Sequence, residues 1–258
     1  MLKIENVKKT FGKGTINEKT AIDGINLHLE KGDFVTVIGG NGAGKSTLFG
    51  AIAGSFICDE GNIILDNEDI TFQKEYKRAR YIGRLFQDPL WGTAPNMTIE
   101  ENLSLAMKGG AISLRYGIRK KEVELFKEKL SLLGLGLEDR LKTKVGLLSG
   151  GQRQAVTLLM STIVTPKLLL LDEHTAALDP GTADKVLDIT KKIVSENNIT
   201  TMMITHNIDS ALRLGNRTIM MNNGKIVMDL KGKERDEMTT EKIIEMFGVK
   251  TDRMVLKQ

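Results

Sequence analysis

Three short runs of this 258-residue chain hold residues of the types that handle phosphate and water. The first is Gly39-Gly40-Asn41-Gly42-Ala43-Gly44-Lys45-Ser46-Thr47. Its Gly39-x4-Gly44-Lys45-Ser46 core is the full phosphate-loop pattern. Glycines let backbone N–H groups curl around a polyanion without Cβ clashes, and a helix opening there turns its positive end to the same place. Lys45 can reach β- and γ-phosphates as a point charge, and the Ser46 hydroxyl can ligate Mg²⁺. The second run is Leu168–Leu171 followed by Asp172 and Glu173. Four apolar residues ending in two acids put carboxylates at the C-terminal edge of a buried strand, where open α/β sheets bind ligands. There Asp172 would orient Mg²⁺ through water, and Glu173 would polarise an attacking water as general base. The third run is Leu148-Ser149-Gly150-Gly151-Gln152. A hydroxyl N-cap and two glycines opening a helix make either a second anion cradle or a plain cap. Two phosphate-binding helix ends in one chain imply two sites, or one site shared between chains.

These runs need elements to position them. Residues 1–38 read as strands: Leu2, Ile4 and Val7 begin one, Ile25, Leu27 and Leu29 alternate with polar residues in another, and Phe34–Ile38 is nearly continuous apolar. A helix from about Lys45 to Ala53 follows the glycine loop, so the loop has the strand–loop–helix setting it requires. A polar, mixed segment runs to about Gln87. Thr98 and Glu101 have capping-box spacing at the start of a helix to Lys108, and Val123, Phe126, Leu130 and Leu133 share a face of a second helix. Ser149 is placed as the N-cap of a third, running to about Val164. Strand–helix alternation then resumes: Leu168–Asp172, an amphipathic helix from Ala183 to Val194, and the β-branched strand Thr200–Thr205. Asn222-Asn223-Gly224 reads as a hairpin turn, and the charged tail from Lys231 carries one short helix near Glu241–Phe247.

Composition narrows the class. The hydrophobic fraction is 41%, the charged fraction 27% and the net charge +4, with charge scattered rather than striped. Nucleic acid is therefore not expected as a partner. Glycine is enriched at 26 residues, against about 18 at average usage, and much of the excess lies in the loops above. A single cysteine, Cys58, permits no disulfide framework, and His28, His174 and His206 lack metal-ligand spacing, so a reducing, cytosolic setting follows. No signal-peptide core opens the sequence and no apolar run approaches the roughly 20 residues of a membrane span. Work on a membrane would need a span from another chain.

With GGNGAGKST (39–47), LSGGQ (148–152) and LLLLDE (168–173) in this order, the sequence resembles the nucleotide-binding subunit of an ABC (ATP-binding cassette) system over nearly its whole length. The resemblance implies an α/β fold: a P-loop NTPase, RecA-like core with an N-terminal antiparallel β subdomain and an inserted α-helical subdomain. Residues 1–258 would form one domain, with the helical insert at about 88–160 and a short tail at 231–258. The resemblance also implies ATP and Mg²⁺ as cofactors and further site residues. Phe11 matches the aromatic that stacks on adenine. Gln87 matches the glutamine that contacts Mg²⁺ and the attacking water, Asp179 the loop that communicates between the two sites of a dimer, and His206 the switch histidine at the γ-phosphate.

Two positions depart from the pattern. Gly40 stands where the family often has proline or serine, which should loosen the loop slightly and remove no phosphate contact. His174 stands where proline is usual, giving DEHTAALDP; this resembles a subgroup of importer ATPases that work with substrate-binding proteins of the tryptophan/tyrosine-uptake type. It is otherwise a neutral replacement at an exposed turn. The stretch FQDPLWGTAPNMTIEENL (86–103) has the same character. Trp91 within it is either a partner contact or a packed core aromatic.

The implied cycle joins two copies, or this chain and a second ABC ATPase. Two ATP molecules lie at the interface, each held by Gly39–Thr47 of one chain and closed over by Ser149 and the glycines of the other. Separate membrane permease subunits and an extracytoplasmic substrate-binding protein would complete an importer of a small solute such as an aromatic amino acid, with this subunit at the cytoplasmic face of the membrane. The alternative is a soluble assembly ATPase of the iron–sulfur scaffold kind, or an exporter subunit. DNA-repair relatives are disfavoured because no long heptad repeat interrupts the chain, and translation-type relatives because there is one cassette.

Overall fold

A computed structural model describes residues 1–108 and 117–246. In chain order the elements are β1 (Leu2–Phe11), β2 (Lys19–Leu29), β3 (Phe34–Gly39), α1 (Lys45–Ala53), β4 (Glu60–Leu65), β5 (Glu68–Asp69), α2 (Glu75–Arg78), β6 (Ile82–Leu85), α3 (Ile99–Lys108), α4 (Lys120–Ser131), α5 (Gly150–Thr162), β7 (Leu168–Asp172), α6 (Pro180–Glu196), β8 (Thr200–Ile204), α7 (Ile208–Leu214), β9 (Arg217–Asn222), β10 (Lys225–Lys231) and α8 (Lys233–Asp236). The fold is α/β with an antiparallel β portion, as the sequence resemblance implies. The chain divides into two compact units.

The first unit holds residues 1–51, 57–71 and the described chain from 202 onward. One sheet in it has the order β2-β1-β4-β5. β1 is antiparallel to both neighbours, with Leu2 opposite Leu29 on one side and Leu65 on the other. Leu2 and Ile4 point into the core while Lys3 and Glu5 stay exposed, the period-2 pattern of a sheet with one wet face. The other sheet in this unit centres on β3, which is buried from Phe34 to Ile38 and runs parallel to β9, Val37 opposite Ile219. A strand buried on both faces needs such a continuous apolar run. β9 turns into β10 at Asn223 and Gly224, both at positive φ (45° and 73°), as a tight hairpin demands. The Thr205 amide, just past β8, donates to the Val37 carbonyl at 3.2 Å and so anchors the chain before His206 beside β3.

The second unit holds residues 52–56 and the described part of 72–201. β6 and β7 pair in parallel, Leu85 opposite Leu171. Helices α3, α4 and α5 enclose a separate core around Leu103, Phe126, Leu130, Val156 and Leu159. Their starts follow the local signals. Thr98 and Glu101 close a capping box at α3, the Thr98 amide donating to Glu101 Oε2 at 2.7 Å and the Glu101 amide to Thr98 Oγ1 at 3.3 Å.

The polar stretch before Gln87 holds more structure than its pattern suggests. β4 begins with three polar or small residues and buries only Ile63 and Leu65. β6 is four residues long, and its Gly83 lies so close to α5 that a Cβ there would stand 2.7 Å from the Ser161 carbonyl. Neither has a hydrophobic period of its own; both are set by partner strands. The charged tail is likewise more ordered than expected. α8 buries Arg235, whose guanidinium donates to the carbonyls of Ala211 and Leu212, and residues 240–246 are helical with Ile243 buried. Phe247, in the predicted tail helix, and the rest of the tail lie outside the described residues.

Candidate functional site: a phosphate loop, two carboxylates and a glycine-capped helix

β3 ends at Gly39 and α1 begins at Lys45, so the glycine run forms the turn between them. Gly39, Gly42 and Gly44 have φ of 148°, 76° and 99°. The loop lies flush on its surroundings: a Cβ on Gly39 would meet the Met221 carbonyl at 2.3 Å, and one on Gly44 the Ala21 carbonyl at 2.4 Å. Only glycine combines that backbone with that approach. The Gly224 amide donates to the Ala43 carbonyl at 3.0 Å and ties the loop to the β9–β10 turn. Lys45 is 6% exposed, and its ammonium folds back over the loop to donate to the Gly39 and Gly40 carbonyls at 2.9 and 3.0 Å. Gly40 does not use the left-handed region, so its backbone does not itself require glycine.

In the same unit Phe11 closes β1 and is 42% exposed, not a core phenylalanine. Its strand end is held by Asp59, which accepts from the Thr10 amide at 2.7 Å and from Lys9 Nζ at 3.1 Å. His206 follows β8 and lines a cavity of about 160 Å³ with Ile38, Gly39, Thr205, Ile208 and Ile243. The structure thus brings His206 to the rim of the phosphate loop.

In the second unit β7 delivers Asp172 at its last position and Glu173 directly after it, with Glu173 at φ 47° and its carbonyl accepting from the Ala176 amide at 2.9 Å. Left-handed backbone at a non-glycine residue is strain that local structure must hold in place. Gln87 is exposed two residues beyond β6, the parallel neighbour of β7, so it leaves the same end of the pair as the two acids. Ser149 caps α5: its Oγ accepts from the Gln152 amide and its own amide donates to Gln152 Oε1, both at 3.3 Å. Gly151 packs against the start of α6, a Cβ there falling 2.1 Å from Thr182 Cγ2, and Gly150 lies against Leu178 just before α6. Asp179 caps α6, accepting from the Thr182 amide at 3.1 Å. Ser149–Gln152 and Asp179 therefore meet at adjoining helix starts.

Residues 22–176 match the family model described as ABC transporter. The chain belongs to that family. It is an ATP-binding subunit, and ATP hydrolysis is its activity. It is 47% identical over 248 residues to a tyrosine transport ATP-binding protein of Clostridioides difficile (strain R20291), covering 96% of this chain and 98% of that one. Among solved structures it is similar to a dimeric ATP-binding cassette in a post-hydrolysis state bound to ADP and Pi (TM-score 0.77, 29% identity, 90% of this chain and 98% of the other). A second ABC transporter cassette gives a TM-score of 0.79 at 30% identity, over 96% of this chain and 98% of that one.

Three residues of this ABC subunit have surroundings that no motif gives. His174 is 2% exposed, so the alternative of a neutral replacement at an exposed turn does not hold. The Thr190 hydroxyl donates to the Val186 carbonyl at 2.8 Å, so its lone pair receives His174 Nε2–H at 3.3 Å. Burial pushes the His174 pKa down to about 4, and the ring is neutral at pH 7. Arg84 on β6 is the second. Its burial lowers its pKa, against the opposing charges of Asp172 and Glu75, and NH1 donates to Ser55 Oγ at 2.9 Å. Trp91 is the third: 78% exposed, its ring 6.3 Å from that of Phe86. Phe86, with Tyr81, Ile82, Arg84, Met160 and Pro166, lines a groove of about 540 Å³.

Arg153, directly after the Leu148–Gln152 run, holds the segment that leads into it. Its guanidinium donates to the carbonyls of Val145 (3.3 Å), Gly146 (3.0 Å) and Leu148 (3.0 Å), clamping the segment that leads into Ser149. Charged hydrogen bonds of this kind are worth about 1.5–3 kcal/mol. Arg153→Ala is expected to lower unfolding free energy by about 2 kcal/mol in denaturant titration and to weaken ATP-dependent dimer formation. Unchanged values for both would remove this role.

Proposed function

We propose that this subunit powers import of tyrosine or a closely related aromatic amino acid. Two copies, or this chain and a second ABC ATPase, would sit at the cytoplasmic face of the membrane on separate permease subunits, fed by an extracytoplasmic substrate-binding protein. The observation that carries the solute is the 47% identity, across 98% of its length, to a protein named for tyrosine transport. The DEHTAALDP run supports it. No described helix is long and apolar enough to cross a membrane. The groove beside Phe86 and the exposed Trp91, next to Gln87, suit the permease contact.

Phe11 stacks on adenine. Backbone amides of Gly39–Thr47 cradle the phosphates, and Lys45 exchanges the Gly39 and Gly40 carbonyls for phosphate oxygens. Ser46, Asp172 and Gln87 offer hard oxygen donors, the kind that Mg²⁺ prefers. Among the described residues no group of three or more His, Cys, Asp or Glu could hold a metal alone. That suits an ion held by few protein ligands together with phosphates. Mg²⁺, when bound, neutralises charge on the β- and γ-phosphate oxygens. Glu173 takes the proton of the attacking water, and His206 holds the γ-phosphate end. Ser149, Gly150, Gly151 and Gln152 of the second copy close over the γ-phosphate, with Asp179 beside them relaying closure between sites. Closure completes the catalytic site and excludes bulk water.

The test is uptake of labelled tyrosine and tryptophan in cells with and without this subunit, with co-purification from membranes. Loss of uptake and recovery of a multi-span permease are expected. Unaltered uptake, or a soluble scaffold as the stable partner, would sink the import reading.

A further inference from the structure

A second cation stands at the phosphate loop. Lys19 opens β2 and is the direct cross-strand partner of Phe11 on β1. Directly opposed residues on antiparallel strands project to the same face. Phe11 and Lys19 are both exposed there, and the strand ends are joined by the Thr10 and Thr20 hydroxyls at 3.1 Å. Lys19 does not extend into solvent away from the loop. Its Nζ lies 3.5 Å from where a Cβ on Gly42 would be, and Gly42 is the central glycine of the cradle, at φ 76°. Lys45, the motif lysine, reaches the loop from the other end, over Gly39 and Gly40. One face therefore carries, in order, an exposed aromatic ring, an ammonium, and the glycine turn that receives phosphates.

We propose that Lys19 binds the phosphate chain of the nucleotide on the side nearer the base. The proposal rests on the reading of Gly39–Thr47 as the nucleotide loop and of Phe11 as the adenine contact. Lys19 stands opposite Phe11 and reaches Gly42, so a nucleotide with its base on Phe11 and its phosphates in the loop would have to pass it, and the phosphates nearer the base are the ones common to ATP and ADP. A lysine is a compact, mobile point charge that needs no fixed fork to meet an oxygen of either phosphate. Because the contact does not involve the γ-phosphate, it strengthens ATP and ADP alike, which is uniform binding and not stabilisation of the transition state. Lys19 lies outside the phosphate-loop motif, so no motif would mark it.

The experiment is equilibrium binding of ATP and ADP, with Mg²⁺, to the full chain and to Lys19→Ala, Lys19→Glu and Lys19→Arg, by displacement of a fluorescent ADP analogue. At low salt Lys19→Ala is expected to weaken both nucleotides by about fivefold, Lys19→Glu by more, and Lys19→Arg by less than twofold. The difference should shrink toward unity at high salt, as a screened charge contact must. Thermal unfolding of each variant shows whether the hairpin is intact, since Lys19 is exposed and its removal leaves no cavity. The proposal fails if Lys19→Ala and Lys19→Glu bind like the parent chain, if only ATP is affected, or if Lys19→Arg is as weak as Lys19→Ala. Lys45→Ala serves as a separate control. If it too binds both nucleotides like the parent chain, the phosphate-loop reading itself is wrong, an outcome distinct from failure of Lys19 alone.

Discussion

Glu173→Gln is expected to bind ATP with near-parental affinity and to hydrolyse it at least about 100-fold more slowly, the range that loss of a general base produces. The substitution keeps the side chain's shape and removes only its ability to take a proton. Glu173 sits one residue beyond the buried strand β7, with φ at 47°. Gln can occupy that backbone conformation at the same cost. Because ATP then persists in the site, the variant should also accumulate as a dimer. Size-exclusion chromatography with ATP and Mg²⁺ should show a species of twice the mass, absent with ADP. A monomer under those conditions would argue against a site shared between two chains. Turnover within tenfold of the parent would argue against Glu173 as the base.

Gly44→Ala should be nearly as damaging, for a different reason. The new Cβ would lie 2.4 Å from the Ala21 carbonyl oxygen and 3.3 Å from Gly224 Cα, at a φ of 99° that alanine rarely adopts. Both obstacles are backbone, so no rotamer change relieves them. A cost of about 2–4 kcal/mol is expected, with Tm lower by about 10 °C and ATP binding lost as the loop shifts. Gly134→Ala supplies the comparison. Its φ is 64°, yet nothing lies within 4 Å of a Cβ there, so it isolates conformational strain of about 1 kcal/mol. If Gly44→Ala proves as stable as Gly134→Ala and still binds ATP, the close packing of the loop on β2 is not what holds its shape.

Much of the local structure was legible in the residue order. The phosphate loop, the acids after Leu168–Leu171 and the capped helix at Ser149 are contiguous runs whose chemistry and conformation are local: φ freedom, side-chain caps, apolar stretches long enough for a buried strand. The hairpin at Asn223–Gly224 and the capping box at Thr98–Glu101 are of the same kind. β4 and β6 were not legible, because each is stabilised by hydrogen bonds to strands remote in sequence and carries little hydrophobic pattern of its own.

At the level of the site, the sequence alone determined which residue types stand together in each motif, and so the chemistry of ATP hydrolysis. It could not determine the surroundings of single residues. His174 reads as a turn residue and is buried on Thr190; Trp91 could be core and is exposed; Arg153 and Lys19 have no motif. Burial and cross-strand register arise from contacts between residues far apart in the chain, and a linear pattern carries no record of them until the tertiary fold brings those partners into reach.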